Sequence, residues 1–424
     1  MRFTRLKDWL DWQQSLHFQE IDLGLERIKS VLSKLKLAKI APIVITVAGT
    51  NGKGSSVAYY AHFLKASGYK VASFTSPHLI DYNERIVIDG LQATDTQIMR
   101  AFDVIDQARG DLSLTYFEFG ALAAFYCIQQ AQVDVAVLEV GLGGRLDAVN
   151  IIDADLVHFT PVGIDHTAWL GSTRELIAIE KAGVLRDQCL VICNDLNPTQ
   201  SMLQAIHKHA KKSLQIGQDY SYDELSDSFQ LADIKVPLSG LSLVGEHQKL
   251  NCSGVLAGLH LLDKLDADVV QNHLQDVNLK GRFETVYTSE DYKLVVDVGH
   301  NEDAAIVLAN ELLQQSPVNS VMILGMLEDK SVNDFTKHLS TPIDHCICVG
   351  LSGSRGLSAT DLLQRIDTNG FSIETAEDIQ QAVNRAEKYL ISEKTNGGVS
   401  SSSGLDIILV TGSFYTVEAF LKLN

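Results

Sequence analysis

The chain has 424 residues, of which 46% are hydrophobic and 21% are charged, and its formal net charge is −18. This length exceeds what one hydrophobic core usually organises, so two domains are expected. The negative charge argues against non-specific binding to nucleic acid or to an anionic membrane surface, since both depend on a positive protein surface.

Membrane insertion and export are not expected either. No stretch stays apolar for long enough to cross a bilayer. Asp8, Trp9 and Asp11 occupy positions where a secretory signal would need an apolar run. The six cysteines are scattered or lie inside apolar runs, which favours buried free thiols over a metal or redox pair. The expected location is the cytoplasm.

Between residue 40 and about residue 235, apolar runs alternate with stretches of helical periodicity. The predicted strands are Ile43–Ala48, Val71–Phe74, Val133–Val140, Leu156–Thr160 and Leu190–Cys193, and the predicted helices include Ser55–Ser67, Phe117–Gln132 and Arg174–Ala182. Apolar strands separated by amphipathic helices are typical of a parallel sheet covered on both faces. The sequence predicts an N-terminal α/β domain over residues 1–280.

A second alternation begins after Gly281. Its predicted strands are Lys293–Val298, Ser320–Leu324, His345–Val349 and Asp406–Val410, and its predicted helices follow Asn301, Ser331, Ser358 and Phe414. We therefore predict a smaller C-terminal α/β domain over residues 281–424. Gly245–Leu262 is predicted as a helix near the junction, and Lys394–Leu405 as a Ser/Gly-rich surface loop.

A glycine-rich loop follows the first predicted strand directly. It consists of Gly49, Thr50, Asn51, Gly52, Lys53, Gly54, Ser55 and Ser56, and an amphipathic helix begins near Ser55. Glycines let backbone N–H groups turn onto phosphate oxygens, and a helix start adds partial positive charge. Lys53 can reach the outer phosphates, and Ser55 or Ser56 can offer a hydroxyl to Mg²⁺. The loop predicts a nucleotide site, although Gly54 departs from the usual spacing and such a turn also occurs without a ligand.

Two oxygen-bearing side chains are predicted near this loop. Glu139 ends the run Val135–Leu138, and an acid at the carboxyl end of a buried parallel strand points into the ligand crevice of such sheets. Ser76 follows Val71–Phe74 and shares the crevice if that strand neighbours the first. Mg²⁺ prefers oxygen ligands, so both are candidate metal ligands. The alternatives are a glutamate that caps a loop and a simple Ser-Pro turn.

His166 and Lys181 are further candidates with strong structural alternatives. His166 follows the strand predicted over Leu156–Thr160, where a histidine is more often a hydrogen-bonded structural group than a ligand. Lys181 lies near a helix end, where the helix dipole favours a solvated lysine. A free ammonium cannot bind Mg²⁺, so Lys181 matters as a ligand only if it is chemically modified.

Many segments of the chain together resemble one family. They are Thr46–Ser55, Ser76–Leu79, Asn83–Arg85, Leu138–Asp147, Asp165–Thr167, Glu180–Gly183, Gly245–Asn251, Gly281–Phe283, Asp297–Asn301, Gly325–Leu327 and Gly412–Phe414. In this order they resemble the folylpolyglutamate synthase family of the Mur-ligase-like enzymes. Ile21–Arg27 and Leu114–Gly120 look like the bifunctional bacterial members. The resemblance implies an N-terminal P-loop ATPase domain with a central parallel sheet and a Rossmann-like C-terminal domain.

The resemblance also implies an activity. Such enzymes use ATP to join L-glutamate to 7,8-dihydropteroate and to extend the γ-glutamyl tail of reduced folates through an acyl phosphate. The residues that would then bind dihydropteroate are Asp22, Leu23, Gly24, Leu25, Thr115, Tyr116, Phe117, Glu118, Leu146, Asp147 and Ala148. Without the resemblance, these segments indicate only helix and loop packing.

Metal and nucleotide roles follow from the same resemblance. One Mg²⁺ would bind Ser76 and Glu139, and a second would involve His166 and a carbamylated Lys181, in which CO₂ supplies the oxygen ligand. The implied catalytic residues are Lys53, His166 and Lys181. Further ATP contacts would come from Asn251, Arg282, Asp297 and His300, of which Asn251 otherwise indicates a helix surface and Arg282 a linker charge. K⁺ or another monovalent cation is an additional expected cofactor, and a monomer is the expected state.

Three other functions use a similar phosphate loop. A peptidoglycan-precursor ligase would lack the dihydropteroate segments, a nucleotide-binding switch would have no use for His166 and Lys181, and a P-loop kinase would not need glutamate. In the predicted enzyme, the C-terminal domain completes the ATP site and binds glutamate. Two domains that close over an acyl phosphate would protect it from water.

Overall fold

The computed structural model describes residues 1–19, 21–353, 355–367, 370–396 and 404–423. They form two compact units. The first contains Met1–Gly163, Thr167–Ser242 and Glu246–Asn278, and the second contains Ile164–His166, Leu243–Gly245 and Leu279–Asn424. The main change of unit therefore falls between Asn278 and Leu279, close to the start of the second alternation of strands and helices.

The first unit is an α/β structure. Its helices are α1 (Leu6–Leu16), α2 (Glu26–Leu35), α3 (Lys53–Ala66), α4 (Asp95–Arg109), α5 (Tyr116–Ala131), α6 (Thr167–Leu170), α7 (Arg174–Ala182), α8 (Gln200–His209), α9 (Glu246–Leu261) and α10 (Ala267–Asn272). Its strands are β1 (Ile43–Ala48), β2 (Val71–Phe74), β3 (Ile86–Ile88), β4 (Leu91–Gln92), β5 (Val135–Glu139), β6 (Leu156–Phe159), β7 (Cys189–Cys193), β8 (Ala210–Gln215), β9 (Ser221–Asp223), β10 (Ser228–Leu231) and β11 (Ile234–Pro237). Short 3₁₀ helices cover Tyr82–Arg85, Ala148–Ile151 and Leu274–Asp276.

Within the described residues, the central sheet of this unit has eight strands in the order β4-β3-β2-β5-β1-β6-β7-β8. Strands β2, β5, β1, β6, β7 and β8 are parallel, whereas β3 and β4 are antiparallel and extend one edge. The predicted fold class is confirmed, but the sheet is mixed rather than wholly parallel. Strand β5 separates β2 from β1, so these two strands are not neighbours as supposed for Ser76.

The strongest apolar runs were placed well by the sequence. Strands β1 and β2 and helix α7 have the predicted bounds, because a short, largely apolar run and a 3.6-residue period are local signals. Helix α3 starts at Lys53, two residues before the predicted Ser55, so the lysine belongs to its first turn. Strands β9, β10 and β11 form a separate antiparallel sheet that was not predicted, since each is short and carries polar residues.

The second unit is a smaller α/β structure. Its helices are α11 (Glu302–Gln315), α12 (Val332–Leu339), α13 (Ala359–Gln364), α14 (Ile379–Asn396) and α15 (Phe414–Leu421). Its strands are β12 (Glu284–Thr288), β13 (Tyr292–Val296), β14 (Ser320–Leu324), β15 (His345–Val349), β16 (Ser372–Ala376) and β17 (Asp406–Thr411). In the described part, the sheet order is β12-β13-β17-β14-β15-β16, and only the β12–β13 pair is antiparallel.

The predicted loop Lys394–Leu405 needs a correction. Helix α14 continues to Asn396, and strand β17 begins at Asp406. Of the other predicted loop residues, Gly404 and Leu405 belong to no helix or strand, and residues 397–403 lie outside the described residues.

Apolar packing follows the strands. In the first unit the buried side chains of β1, β5 and β6 pack with α5 and α7, and in the second unit β14 and β17 pack with α11 and α12. All six cysteines are free and buried, as the sequence predicted. Among the described helices, none combines the length and apolar character needed to cross a membrane.

Candidate active site

The glycine-rich loop joins the end of β1 to the start of α3. Gly49 has φ +155°, and a Cβ there would lie 1.9 Å from Thr160 Oγ1. Gly52 has φ +87°, and its Cβ would lie 2.6 Å from Asn251 Oδ1. A side chain fits at neither position, so the backbone comes unusually close to its neighbours. The first N–H groups of α3 follow at once, which is the arrangement that binds phosphate at helix starts.

Asn251 lies on α9 and packs against the loop. It is buried, with 4% of its surface exposed, and its amide group faces Gly52. The alternative of a solvated helix-surface residue is therefore wrong. A buried amide at the edge of a phosphate loop is well placed to contact a nucleotide, as the resemblance implied.

Thr50 ties the loop to the segment that follows β6. Its hydroxyl donates to the Gly163 carbonyl at 3.1 Å and accepts from the Gly163 N–H at 3.0 Å. Its own N–H donates to the Pro161 carbonyl at 2.9 Å. The side chain of Thr50 therefore holds the loop in place. Of the two serines that could meet a metal ion, Ser56 is fully buried and Ser55 is 2% exposed.

Two lysine ammonium groups converge on the Gly49 carbonyl. Lys181 Nζ donates to this oxygen at 2.6 Å, and Lys53 Nζ donates to it at 3.1 Å and to the Thr50 carbonyl at 3.0 Å. Lys181 is only 4% exposed, so the expectation of a solvated lysine does not hold. Two like charges at one buried carbonyl make the start of the loop strongly attractive to anions.

Glu139 and Ser76 are brought together as predicted. Glu139 is the last residue of β5, it is 6% exposed, and it lies level with Val47 of β1. The Ser76 N–H donates to Glu139 Oε2 at 3.1 Å. A carboxylate and a hydroxyl-bearing residue thus lie side by side at the carboxyl end of the sheet, where hard cations find the oxygen ligands they prefer.

Asp22, the first of the expected dihydropteroate residues, is held by two basic side chains. Arg27 Nη1 donates to Asp22 Oδ2 at 2.5 Å, and His17 Nε2 lies 3.1 Å from the same oxygen. Arg27 Nη2 also lies 3.3 Å from Glu118 Oε1. Arg27 therefore connects the segment Asp22–Leu25 to the start of α5. The sequence did not predict this connection, although Arg27 belongs to the motif Ile21–Arg27.

The start of α5 is a capping box. Thr115 Oγ1 accepts from the Glu118 N–H at 3.2 Å, and Glu118 Oε2 accepts from the Thr115 N–H at 2.8 Å. The packing alternative is thus correct in part, because both side chains cap the helix. The T-x-x-E spacing is a sequence signature of a capping box, so this helix start could have been predicted from the sequence.

Aromatic residues of α5 line the same region. The Arg85 guanidinium lies 5.5 Å from the Tyr116 ring centre and is almost fully buried. Phe117 packs on the next segment, since a Cβ on Gly141 would lie 2.5 Å from its ring. The segment Thr115–Glu118 therefore contacts both Arg27 and the loop after β5.

Asp147 organises that loop. Its carboxylate accepts from the Leu142 N–H at 2.8 Å and from the Val149 N–H at 2.9 Å. Burial raises the pKa of Asp147 to about 6, against the opposing effect of these hydrogen bonds. Its neighbour Ala148 is also buried, and Leu146 is half-buried. The three predicted substrate segments thus form one connected group in the first unit.

The second unit holds Arg282, Asp297 and His300 near the carboxyl end of β13. The Asp297 carboxylate accepts from the Phe283 N–H at 2.8 Å and from the Gly299 N–H at 2.7 Å. Burial raises the pKa of Asp297, while the charge of Arg282 lowers it. The Arg282 guanidinium lies 5.5 Å from the Phe414 ring centre, so it is packed rather than a free linker charge.

His166 groups with the second unit through Ile164–His166. It has φ +51°, and its Nε2 lies 3.9 Å from Asp165 Oδ2. Asp165 also contacts Lys330 Nζ at 2.5 Å and His300 Nε2 at 3.5 Å. Burial alone would raise the pKa of Asp165, but the His300 hydrogen bond and the nearby positive charges lower it well below its usual range. Lys330 was not predicted, and the pairing of His166 with Lys181 stays a prediction.

Comparisons with known proteins give a consistent result. Residues 281–414 match the family model described as Mur ligase, glutamate ligase domain. The dihydrofolate synthase/folylpolyglutamate synthase of Haemophilus influenzae is 37% identical over 435 residues, covering 98% of this chain and 96% of that protein.

Solved structures agree. Escherichia coli FolC in complex with DHPP and ADP has a TM-score of 0.89 at 34% identity, covering 99% of this chain and 97% of that chain. The bifunctional folylpolyglutamate synthase/dihydrofolate synthase from Yersinia pestis, complexed with AMPPNP and Mn ion, has a TM-score of 0.88 at 34% identity and covers 99% of this chain and 98% of that chain.

Proposed function

The chain belongs to the dihydrofolate synthase/folylpolyglutamate synthase family, and from this premise we propose which of its residues carry out the reaction of that family. It is an ATP-dependent ligase that joins L-glutamate to dihydropteroate and to folates. A carboxylate does not condense with an amine in neutral water, because it has no good leaving group. Phosphorylation of the carboxylate by ATP supplies one, and the amine of glutamate then displaces phosphate.

The observation that best supports a phosphoryl-transfer site is the convergence of Lys53 and Lys181 on the Gly49 carbonyl. We propose that Lys53 turns from this carbonyl to the outer phosphates of ATP. The N–H groups of Gly49–Ser56 and the start of α3 would hold the other phosphate oxygens. Asn251 would contact the nucleotide from α9, since it already borders Gly52.

A divalent metal fits the donor set at the end of β5. Glu139 supplies a carboxylate and Ser76 a hydroxyl, and both are hard oxygen donors of the kind that Mg²⁺ prefers. When bound, the ion neutralises charge on the phosphate that is transferred. A second Mg²⁺ with His166 and Lys181 as ligands is part of the proposal. Lys181 fits it only as a carbamate, because an ammonium group has no lone pair to offer.

We propose that the group linked by Arg27 binds the pteroate or folate substrate. Asp22 and Glu118 are acids held at fixed positions, and Tyr116 and Phe117 supply aromatic surface for a pterin ring. Carboxylates that are already oriented can accept from the N–H groups of such a ring without further ordering. The Leu146–Ala148 loop borders this group through Gly141 and Phe117.

The second unit has a separate proposed role. Arg282, Asp297 and His300 would contact ATP, and the matched glutamate ligase domain would hold L-glutamate. We further propose a cytoplasmic monomer that binds K⁺ or another monovalent cation. The six buried free thiols support a reducing compartment.

The acyl-phosphate step can be tested with isotopes. Dihydropteroate labelled with ¹⁸O in its carboxylate should transfer one label to the phosphate released with ADP, because the attacking oxygen leaves with the phosphoryl group. Release of unlabelled phosphate would rule out the acyl-phosphate step. Dihydropteroate and a reduced folate are assayed as separate acceptors to distinguish the two ligase activities. A control without glutamate distinguishes a ligase from a kinase or an ATPase, because neither of these needs glutamate.

A further inference from the structure

A group of three side chains lies in the first unit, outside the residues assigned above. His62 is on α3, His273 follows α10, and Asp276 ends the short helix Leu274–Asp276. His62 Nε2 donates to the His273 carbonyl at 3.0 Å, and His273 Nδ1 lies 3.0 Å from Asp276 Oδ2. The possible ligand atoms of the three side chains all lie within 4.8 Å of one another.

We propose that His62, His273 and Asp276 form a binding site for a divalent transition-metal ion, with Zn²⁺ as the best match. Two imidazoles and one carboxylate are a common donor set for Zn²⁺, and imidazole is a poor ligand for Mg²⁺. Zn–N and Zn–O bonds of about 2.0–2.1 Å at a tetrahedral centre place ligand atoms roughly 3.3 Å apart. The ligand atoms, which lie within 4.8 Å of one another, must therefore approach each other by up to about 1.5 Å through side-chain rotation.

Solvent access suits this site, and both histidine rings must change tautomer to bind an ion. His273 is 42% exposed and Asp276 is 58% exposed, so both side chains can turn and a water molecule can complete the coordination. His62 now carries its proton on Nε2, since a carbonyl only accepts. On metal binding the neutral ring would hold its proton on Nδ1, and the Nε2 lone pair would face the ion. His273 would change tautomer in the opposite sense, freeing Nδ1.

The site would tie together distant parts of the chain. His62 and His273 are separated by 211 positions in the sequence. At 1.5 Å per residue, His62 lies about 13 Å along α3 from Lys53, so the site is distinct from the phosphate loop. An ion that binds the folded chain and not the unfolded chain raises stability. We therefore assign the site a role in holding α3 against the segment after α10.

Metal-free protein titrated with Zn²⁺ in excess Mg²⁺ tests this proposal. Isothermal titration calorimetry of the wild-type chain should show one more Zn²⁺ bound than in a His62→Ala, His273→Ala double variant. Each single substitution should weaken this binding by at least ~10-fold. Zn²⁺ should raise the thermal unfolding temperature of the wild type, and this increase should be lost in the double variant.

His207→Ala is the matched control, because His207 is exposed on α8 outside the group. It should bind Zn²⁺ as the wild type does. Asp276→Asn, on the surface, gives a second variant if the double variant folds poorly, and circular dichroism checks folding. Equal Zn²⁺ stoichiometry and equal stabilisation in the wild type and the variants would overturn the site. None of these measurements depends on ligase activity, so the outcome is separate from that of the proposed function.

Discussion

Lys181 Nζ donates a 2.6 Å hydrogen bond to the carbonyl oxygen of Gly49, at the entrance of the phosphate loop. The donor comes from the end of α7 and the acceptor from the end of β1. This bond places the buried Lys181 side chain where the chain turns from β1 into the glycine-rich loop. It also explains why a lysine near a helix end is buried in this protein.

Replacing Lys181 separates two roles for it. We expect Lys181→Met to lower kcat by ~10²-fold or more, the scale seen when one charge-stabilising group is lost. Lys181→Arg keeps the charge and the donor but cannot form a carbamate. If the carbamate is required, the arginine variant should be as inactive as the methionine variant. Carbon-13 NMR of the wild type in labelled bicarbonate should show a carbamate signal, and substantial activity of Lys181→Arg would contradict its need.

Gly52→Ala should damage the nucleotide site. The new Cβ would lie 2.6 Å from Asn251 Oδ1, and the residue would be held at φ +87°. We expect ATP affinity to fall by ~10-fold or more, because the new methyl group would displace the Asn251 amide and the loop backbone. A side chain in the left-handed region also costs about 1 kcal/mol, which a control must separate from the clash. Gly68→Ala is a close control, because Gly68 has φ +86° and no atom within 4 Å of a Cβ. Similar loss of ATP binding in both variants would show that backbone strain, not Asn251, is responsible.

Glu139→Gln should weaken Mg²⁺ binding and lower the activity. The amide keeps the size of the side chain and an acceptor for the Ser76 N–H, but it loses the charge that attracts Mg²⁺. The Mg²⁺ concentration for half-maximal activity should rise by ~10-fold or more. Glu224→Gln, at an exposed turn between β9 and β10, should leave it unchanged. An unaltered Mg²⁺ titration in Glu139→Gln would remove Glu139 from the metal site.

Arg27→Leu should impair use of the pteroate substrate more than use of ATP. The substitution removes the cation that Asp22 and Glu118 share, so Asp22 keeps only His17 and Glu118 keeps only the Thr115 N–H among the partners described above, and both acids are held less firmly. We expect KM for dihydropteroate to increase by ~10-fold or more, because loss of one charge-assisted contact costs about 1.5–3 kcal/mol. KM for ATP should change little. Lys29→Ala, at an exposed position of α2, is the control. Parallel increases in both KM values would point to a general folding defect.

His158 should make the protein less stable in mild acid. It is fully buried on β6, its Nδ1 lies 3.0 Å from Tyr60 Oη, and burial lowers its pKa to about 3. Below the ordinary pKa near 6.5, the unfolded chain binds a proton that the native chain does not. The free energy of unfolding therefore decreases as the pH is lowered from about 6.5 to about 3. Between pH 7 and pH 5 this group alone should remove about 2 kcal/mol.

Urea unfolding at both pH values tests the effect of His158. His158→Gln should flatten the pH dependence by about that amount, whereas His207→Gln, at an exposed position, should not. An unchanged pH dependence in His158→Gln would assign the acid sensitivity to other groups.

The sequence predicted the strands that are marked by a short apolar run. Strands β14 and β15 have the predicted bounds because each is a continuous apolar run between polar turns. The pairing of β3 with β2 was missed, since a three-residue strand carries too short a period to detect. The order of the strands in the sheet, in which β5 lies between β1 and β2, could not be predicted from the sequence either.

The site was predictable where chemistry and position coincide along the chain. Glu139 and Ser76 each follow an apolar run, and the structure joins them. Asn251 could not be placed beside Gly52 from the residues alone, because the contact joins α9 to a loop far away in the sequence. From its position alone Lys181 was interpreted as a solvated lysine, whereas the resemblance gave it a role in the site, and its burial beside Gly49 shows that the helix-dipole argument did not apply.

The capping box at the start of α5 limits how this protein can change its ligand. Glu118 uses one carboxylate oxygen to hold the Thr115 N–H and presents the other to Arg27. Glu118→Gln would keep an acceptor for the Thr115 N–H, whereas a residue without such an acceptor would release the start of the helix. In the substrate role that we propose for Glu118, ligand preference and folding stability are linked at one side chain, since most substitutions that change its charge also remove the helix cap.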